Sequence, residues 1–366
     1  MVEYESLELS NRRFVTELRE AFDKVLARGW YVLGNEVSEF ECEFAAFVGS
    51  GHCIGVANGL DALTLSIKAL DLPAGSEILV ASNTYIATIL AVVNAGHQPV
   101  LVEPDLRSYN IDPQRMQAAL TRRTRAICVT HLYGKPCRMD LVGPFAQAHG
   151  LAVIEDCAQS HGASLNGRMT GTFGNTGCFS FYPTKNLGAL GDAGAITTDD
   201  PALADRLRHL RNYGSLKKYV NLHVGVNSRL DELQAAFLRV KLRHLAEITA
   251  HKQHLASIYF DSLPQPLVLP LRESGSVNVF HIFPIRCTRR DELRAYLLHN
   301  DIKTEVHYPI PPHRQQAMKG IVEGDEGHYP IADEIHATEL SLPISYATTP
   351  DDVAAVCRAV RQFFDQ

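Results

Sequence analysis

Among the residues of this sequence, Lys185 stands out as a candidate for chemistry. It sits in Gly177-Cys178-Phe179-Ser180-Phe181-Tyr182-Pro183-Thr184-Lys185-Asn186-Leu187-Gly188, with Gly191 and Gly194 close behind. An apolar run and a proline turn lead into it, so the amine is held by a shaped loop and drawn toward the interior. Burial disfavours the charged ammonium and lowers its pKa. The neutral amine condenses with carbonyl compounds, and after displacement it can take up and return a proton. A loop lysine without partners is only a solvated charge.

A carboxylate is the first partner. Leu151-Ala152-Val153-Ile154-Glu155-Asp156 reads as an apolar strand with acids at its end, and the carboxyl ends of strands in open α/β sheets face the ligand crevice. In a pyridoxal-phosphate (PLP) enzyme an aspartate in that place keeps the pyridine nitrogen protonated, which makes the ring an electron sink. Gln159, three residues on, is placed to meet the ring hydroxyl. Taken alone, Asp156 also fits a helix cap.

The elements that must position these groups follow from periodicity. Helical spacing is present over 12–28, 36–48 and 59–71, the last opening after Asn58-Gly59. Strands and helices then alternate: Glu77–Ala81 strand, Tyr85–Ala95 helix, Pro99–Glu103 strand, Pro113–Leu120 helix, Arg125–His131 strand, Leu141–His149 helix, Leu151–Asp156 strand. Two further strands are expected at Gly177–Tyr182 and Ala193–Thr198. This rhythm implies an α/β fold with a mostly parallel sheet covered on both faces. A long helical stretch from about Ser228 to Ser262 carries an apolar stripe of Leu230, Leu233, Ala236, Phe237, Val240 and Leu242. Beyond it, Val277–Cys287, Asp291–Asn300, Ile302–Val306 and Asp351–Phe364 read as strand, helix, strand and helix. The expected division is a large domain over 1–245 and a smaller α/β C-terminal domain over 246–366.

The formal net charge of -6 argues against a general affinity for nucleic acid or anionic membranes, so an anionic ligand must be held locally. Eight cysteines lie scattered without C-x-x-C pairs, the pattern of buried free thiols in a reducing compartment rather than of disulfides or a metal site. Met1-Val2-Glu3-Tyr4-Glu5 lacks the character of a signal peptide, and no apolar run reaches the roughly 18 residues of a membrane span. A cytoplasmic protein is expected.

Asp156-x-x-Gln159 followed by Ser180-Phe181-Tyr182-Pro183-Thr184-Lys185-Asn186-Leu187-Gly188 resembles the DegT/DnrJ/EryC1/StrS sugar aminotransferases, of PLP fold type I (aspartate-aminotransferase-like). Asn58-Gly59-Leu60-Asp61-Ala62-Leu63, Asn83-Thr84-Tyr85, His131-Leu132-Tyr133-Gly134, Arg211-Asn212-Tyr213-Gly214, Gly225-Val226-Asn227-Ser228-Arg229-Leu230 and Glu305-Val306-His307-Tyr308-Pro309 fall in the family's order.

The resemblance implies PLP held as a Schiff base on Lys185, with pyridoxamine phosphate as its alternate form. It further implies cofactor contacts from Gly59, Leu60 and Ser180 to the phosphate, Tyr85 to the ring face, Asp156 and Gln159 to the ring, and Asn227 to the phosphate of a neighbouring subunit. That last contact makes the expected protein a homodimer with shared active sites. Tyr219, His307, Tyr308 and Arg229 are the substrate-binding candidates, with Lys217 and Lys218 in the same loop.

By family, the expected reaction carries an amino group from L-glutamate to a nucleotide-linked keto sugar in two half-reactions. The run from Ala57 to Leu63 is most like the branch that acts at C3 of dTDP-3-keto-6-deoxyhexoses, whether of glucose or galactose type. Amination at C4 of a dTDP- or UDP-linked sugar, and a PLP-binding regulatory protein, remain the alternatives. The related 3-dehydratases carry histidine where Lys185 stands.

Overall fold

The computed structural model describes residues 1–217, 219–322 and 328–365. Seven strands form the main sheet: β1 (His52–Val56), β2 (Glu77–Ala81), β3 (Gln98–Val102), β4 (Thr124–Thr130), β5 (Ala152–Asp156), β6 (Thr176–Ser180) and β7 (Gly194–Thr198). Their order is β1-β7-β6-β5-β4-β2-β3. All pairings are parallel except the two made by β7, which runs against both β1 and β6. The expected mostly parallel sheet is therefore present, extended by β1 and with one strand reversed.

Helices α1 (Val15–Arg28), α2 (Asn35–Val48), α3 (Gly59–Ala69), α4 (Ile86–Asn94), α5 (Glu232–Leu242) and α6 (Leu245–Ser262) surround the strands or follow them. The strands are unbroken apolar runs because both faces are covered. Ile78 and Val80 pack with Leu63, Ile67, Ile89 and Val92, while Leu79 between them packs with Ile127, Val129, Met139 and Val142. A third cluster joins Phe40 and Phe44 of α2 to Phe179, Phe181, Leu187 and Ala189. Phe44 meets Phe179 and Phe181 edge-on, at centroid separations of 4.9 and 5.3 Å, contacts worth about 1 kcal/mol each beyond burial. These residues lie on both sides of the Lys185 loop and anchor it.

The long helical stretch expected from Ser228 to Ser262 is two helices, α5 and α6, with a break at Arg243 and His244. Its apolar stripe packs within the chain, against α1 and α2. The C-terminal part is built on β8 (Phe283–Arg286) and β9 (Glu339–Leu342), paired antiparallel with Arg286 opposite Glu339. Around it Leu255, Tyr259, Leu293, Val356 and Val360 form a separate core.

The strand expected at Ile302–Val306 does not form as one. Ile302 makes a single bridge to Val2, and Glu305 one to Ser341. The place beside β8 belongs to β9, whose Glu-Leu-Ser-Leu alternation sends Leu340 and Leu342 to the core and Glu339 and Ser341 to the opposite side. Seven of the eight cysteines are buried free thiols, and Cys42 is exposed. Among the described residues no helix is long and apolar enough to cross a membrane.

One buried carboxylate braces the end of β5. Glu155 Oε1 accepts the N–H groups of Phe173 and Gly174 at 2.7 and 2.8 Å, while Oε2 accepts that of Gly171 and lies 2.9 Å from His131 Nε2. His131 Nδ1 accepts the N–H of Cys137, so Nε2 carries the proton and donates to Glu155. Removing the carboxylate would leave three backbone donors and an imidazole unpaired in the interior. Glu155→Ala is predicted to lose about 3 kcal/mol or more of stability, read as a lower denaturation midpoint in urea; a change below about 0.5 kcal/mol would contradict this bracing role.

Candidate active site

At the carboxyl ends of β4, β5 and β6 lies a cavity of about 520 Å³. Strand order makes it. Because β5 and β6 are parallel neighbours, with Asp156 opposite Cys178, the residues that follow them emerge at the same edge. Asp156, Gln159, Ser180 and Lys185 all line the cavity, together with Gly59, Leu60, Tyr85, His307 and Tyr308.

The start of α3 closes one side. Asn58 caps the helix, its side-chain oxygen accepting the N–H of Asp61 at 2.8 Å. The N–H groups of Gly59 and Leu60 fall in the first turn, where a helix offers them no acceptor of its own. A side chain at residue 59 would have its Cβ 2.6 Å from that of Ser180. Only glycine lets the helix start and the serine hydroxyl approach this closely. The result is a cradle of two N–H groups and a hydroxyl with the helix dipole behind it, suited to a phosphate.

Asp156 is buried. Thr88 donates to its Oδ2 at 2.7 Å and the Ala158 N–H to its Oδ1 at 3.1 Å. Burial pushes the carboxyl upward, and these two bonds with the charge of Lys185 pull it back. Lys185 shows the converse: burial takes its amine down to about 8, opposed by Asp156. The loop that carries it is fastened from outside the cavity. Lys241 donates to the Gly188 carbonyl at 2.7 Å, Asn186 to the Val279 carbonyl at 2.9 Å, and Lys252 to Asn186 Oδ1 at 2.8 Å.

A helix start suited to an anion, a buried carboxylate and an amine taken down to about 8 by burial are set around one cavity, and relatives of known structure match this chain throughout. A model of the DegT/DnrJ/EryC1/StrS aminotransferase family matches residues 13–361. The chain belongs to that family. It is 48% identical over 364 residues, 99% of each chain, to the dTDP-3-amino-3,6-dideoxy-alpha-D-galactopyranose transaminase of Aneurinibacillus thermoaerophilus. DesV of S. venezuelae superimposes with a TM-score of 0.98 at 42% identity, over 100% of this chain and 99% of the other. NtdA of Bacillus subtilis, solved with bound cofactor PMP, does so with a TM-score of 0.91 at 26% identity, over 100% and 85%.

Other candidates of this family member lie away from the cavity within the single chain. Asn227 is exposed and bridges to Asn212. Arg229 donates to Asn212 Oδ1 at 3.1 Å, its guanidinium 5.7 Å from the centre of the Tyr213 ring. Lys217 is exposed and Tyr219 is 87% exposed, while Lys218 lies outside the described residues. Gln159 does line the cavity, but its carbonyl accepts the Tyr133 N–H at 2.6 Å and its amide donates to the Tyr308 hydroxyl at 3.1 Å. It therefore braces the His307-Tyr308 segment against β5 as well as facing the cavity. Tyr85 stands 5.0 Å from Tyr308, centroid to centroid.

The aminotransferase site also uses residues that the sequence reading passes over. Thr88 lies one helical turn beyond Tyr85, close enough to the Asn83-Thr84-Tyr85 run that its hydroxyl was a traceable signal. Lys252 and Lys241 sit on helices whose apolar spacing hides buried amines. Their pKa values are both taken down to about 8 by burial. In the cofactor-free aminotransferase, labelling of Lys185 by an amine reagent is predicted to rise with pH around a midpoint near 8, and Asp156→Asn to move the midpoint lower, because the carboxylate raises it. Peptide mass spectrometry reads this directly; a midpoint at the ordinary 10.5 would refute the buried-amine assignment.

Proposed function

We propose that the chain is a PLP-dependent aminotransferase that moves an amino group from L-glutamate to a nucleotide-linked keto sugar. The substrate we assign is a dTDP-3-keto-6-deoxyhexose, giving a dTDP-3-amino-3,6-dideoxyhexose. The observation that carries the reading is the meeting of Lys185, Asp156 and the Gly59, Leu60 and Ser180 cradle in one cavity. These answer the aldehyde, the ring nitrogen and the phosphate of the cofactor, and the reading is supported by Gly59, whose lack of a Cβ lets the helix start and Ser180 converge. Assignment of the sugar rests on the Ala57–Leu63 segment and on the 48% identical transaminase.

PLP bound here supplies an aldehyde that condenses with amines and a ring that withdraws electrons. The chain's own residues do the rest. Gly59, Leu60 and Ser180 would hold the phosphate, Tyr85 would meet the ring face, and Asp156 would offer its negative charge to a protonated ring nitrogen. Thr88 and the Ala158 N–H favour that charge against burial. Gln159 fixes the wall beside the ring. The amine of Lys185, its pKa taken down to about 8 by burial, would hold the cofactor through its aldehyde and, when free, would serve as the proton-moving base and acid. Tyr219, Arg229, His307 and Tyr308 are the groups we assign to the sugar nucleotide, Tyr219 from the exposed loop and Arg229 from the half-buried segment after it. Asn227 reaches the phosphate of a second subunit, so the working form is a homodimer, and we place it in the cytoplasm. We set the boundary between its two domains at residue 245, where α6 begins.

Substrate choice is tested by offering the loaded enzyme and L-glutamate a panel of 3-keto and 4-keto nucleotide sugars. Amination at C3 of the dTDP-linked 6-deoxy sugar is expected, with ping-pong kinetics. Exclusive amination at C4 would overturn the assigned regiochemistry, and a requirement for both substrates bound at once would overturn the two-stage scheme.

A further inference from the structure

Three polar side chains run in a row from the cavity wall into the C-terminal part. His307 lines the cavity, and its Nδ1 is 2.9 Å from the Ser341 hydroxyl. That hydroxyl is 2.5 Å from Glu339 Oε1. The other oxygen of Glu339 accepts the backbone N–H of His307 at 2.6 Å. Ser341 and Glu339 are wholly buried, on the same side of β9, two residues apart. With Nδ1 engaged by Ser341, Nε2 is the ring nitrogen left for a ligand.

Such a row has two self-consistent arrangements. With Glu339 ionised, Ser341 donates to the carboxylate, Nδ1–H donates to Ser341, and Nε2 presents a lone pair. With Glu339 protonated every bond reverses: the carboxyl donates to Ser341, Ser341 donates to Nδ1, and Nε2 carries the proton. The imidazole is neutral in both.

We propose that His307, Ser341 and Glu339 form a proton relay that accepts a proton from the substrate ammonium group exchanging with Lys185 and stores it on the Glu339 carboxyl. The ammonium loses one proton to Nε2, the Nδ1 proton passes to Ser341 Oγ, and the hydroxyl proton of Ser341 passes to Glu339 Oε1. Three N–H or O–H bonds break, three form, and no electron pair leaves the row. Return of the proton runs the same path backwards. The relay deepens the aminotransferase reading and rests on it for the identity of the ammonium, but the reversal of the row does not.

The surroundings set the direction of flow. Burial pushes Glu339 up to about 8, against the bonds from Ser341 and the His307 N–H and the charge of Arg290. Burial and then the charge of Lys185 take His307 down to about 4. A proton delivered at Nε2 therefore comes to rest on the carboxyl instead of leaving an imidazolium. The other groups facing Glu339 are Tyr4 from the N-terminal segment, Tyr109, Tyr133 after β4, and Tyr308. All four are pushed upward and stay neutral where Glu339 titrates. His281 also faces His307 and is pushed down, so it too is neutral there.

The test uses the cofactor-loaded protein with 15N-labelled histidine. Between about pH 6 and about pH 10, His307 is expected to change from the Nε2–H to the Nδ1–H tautomer without passing through imidazolium. Ser341→Ala should lose the change and Ser341→Thr should keep it. One unchanging tautomer in the native protein over that range, or an imidazolium, overturns the relay whatever the enzyme's activity.

In the isolated half-reaction with L-glutamate, Ser341→Ala should be slower by about 100-fold or more and lose the ionisation near 8 from its pH profile, with Ser341→Thr restoring both. A pH profile unchanged in Ser341→Ala also overturns the proposal. If no amino donor supports a half-reaction in the native protein, the aminotransferase reading fails, and the tautomer measurement still decides whether the row reverses.

Discussion

Two opposite charges withdrawn from water at the ends of adjacent parallel strands set the terms for the rest of this protein. Asp156 closes β5 and Lys185 follows β6, so the sheet order alone brings them to one edge. Each loses hydration there, and burial moves the carboxyl up and the amine down. Left alone, that trend would make both neutral. The carboxylate is favoured by a hydroxyl and a backbone N–H, and each charge supports the other against burial. A lowered amine pKa suits a group that must both bond carbon and move protons.

Such a pair needs rigid walls, because an amine displaced by about 1 Å loses much of its reactivity. The Lys185 loop is held on both sides. Phe179, Phe181, Leu187 and Ala189 anchor it from the α2 side, and Lys241 and Lys252 hold its backbone and Asn186 from α5 and α6. Through Lys252, which also donates to the His281 carbonyl at 3.0 Å, the C-terminal part is tied to the loop. The same part brings His307 and Tyr308 over the cavity, with Gln159 bonding the Tyr308 hydroxyl from the large sheet.

Much of this was legible in the sequence because it depends on short-range pattern. Apolar runs ending in acid or glycine mark β5 and β6 and Asn58-Gly59 marks the start of α3, so pattern singles out Asp156 and Lys185, while Gly59, Leu60 and Ser180 come from the family resemblance. What stayed hidden depends on tertiary contact. β1 has a glycine at its fourth position and reads weakly as a strand. The partner of β8 is Glu339–Leu342, which has no β-branched residue and reads less like a strand than Ile302–Val306 with its Ile, Thr and Val, since pairing is decided by which segment also fills the core. Thr88, Lys252, Ser341 and Glu339 look like ordinary polar residues until folding places them behind Asp156, Lys185 and His307. The exposed loop with Tyr219 and the bridge at Asn227 are named by resemblance alone, and within one chain they lie away from the cavity.

Three amines, Lys185, Lys241 and Lys252, are taken down to about 8 by burial, and the central claim is that Lys185 carries the cofactor. Borohydride reduction of the loaded protein fixes the cofactor to the amine that holds it, and peptide mass spectrometry then locates the adduct. Modification of Lys185 alone is predicted, since only it lines the cavity with Asp156 and the phosphate cradle. An adduct on Lys241 or Lys252, with Lys185 unmodified, would contradict the account at its centre.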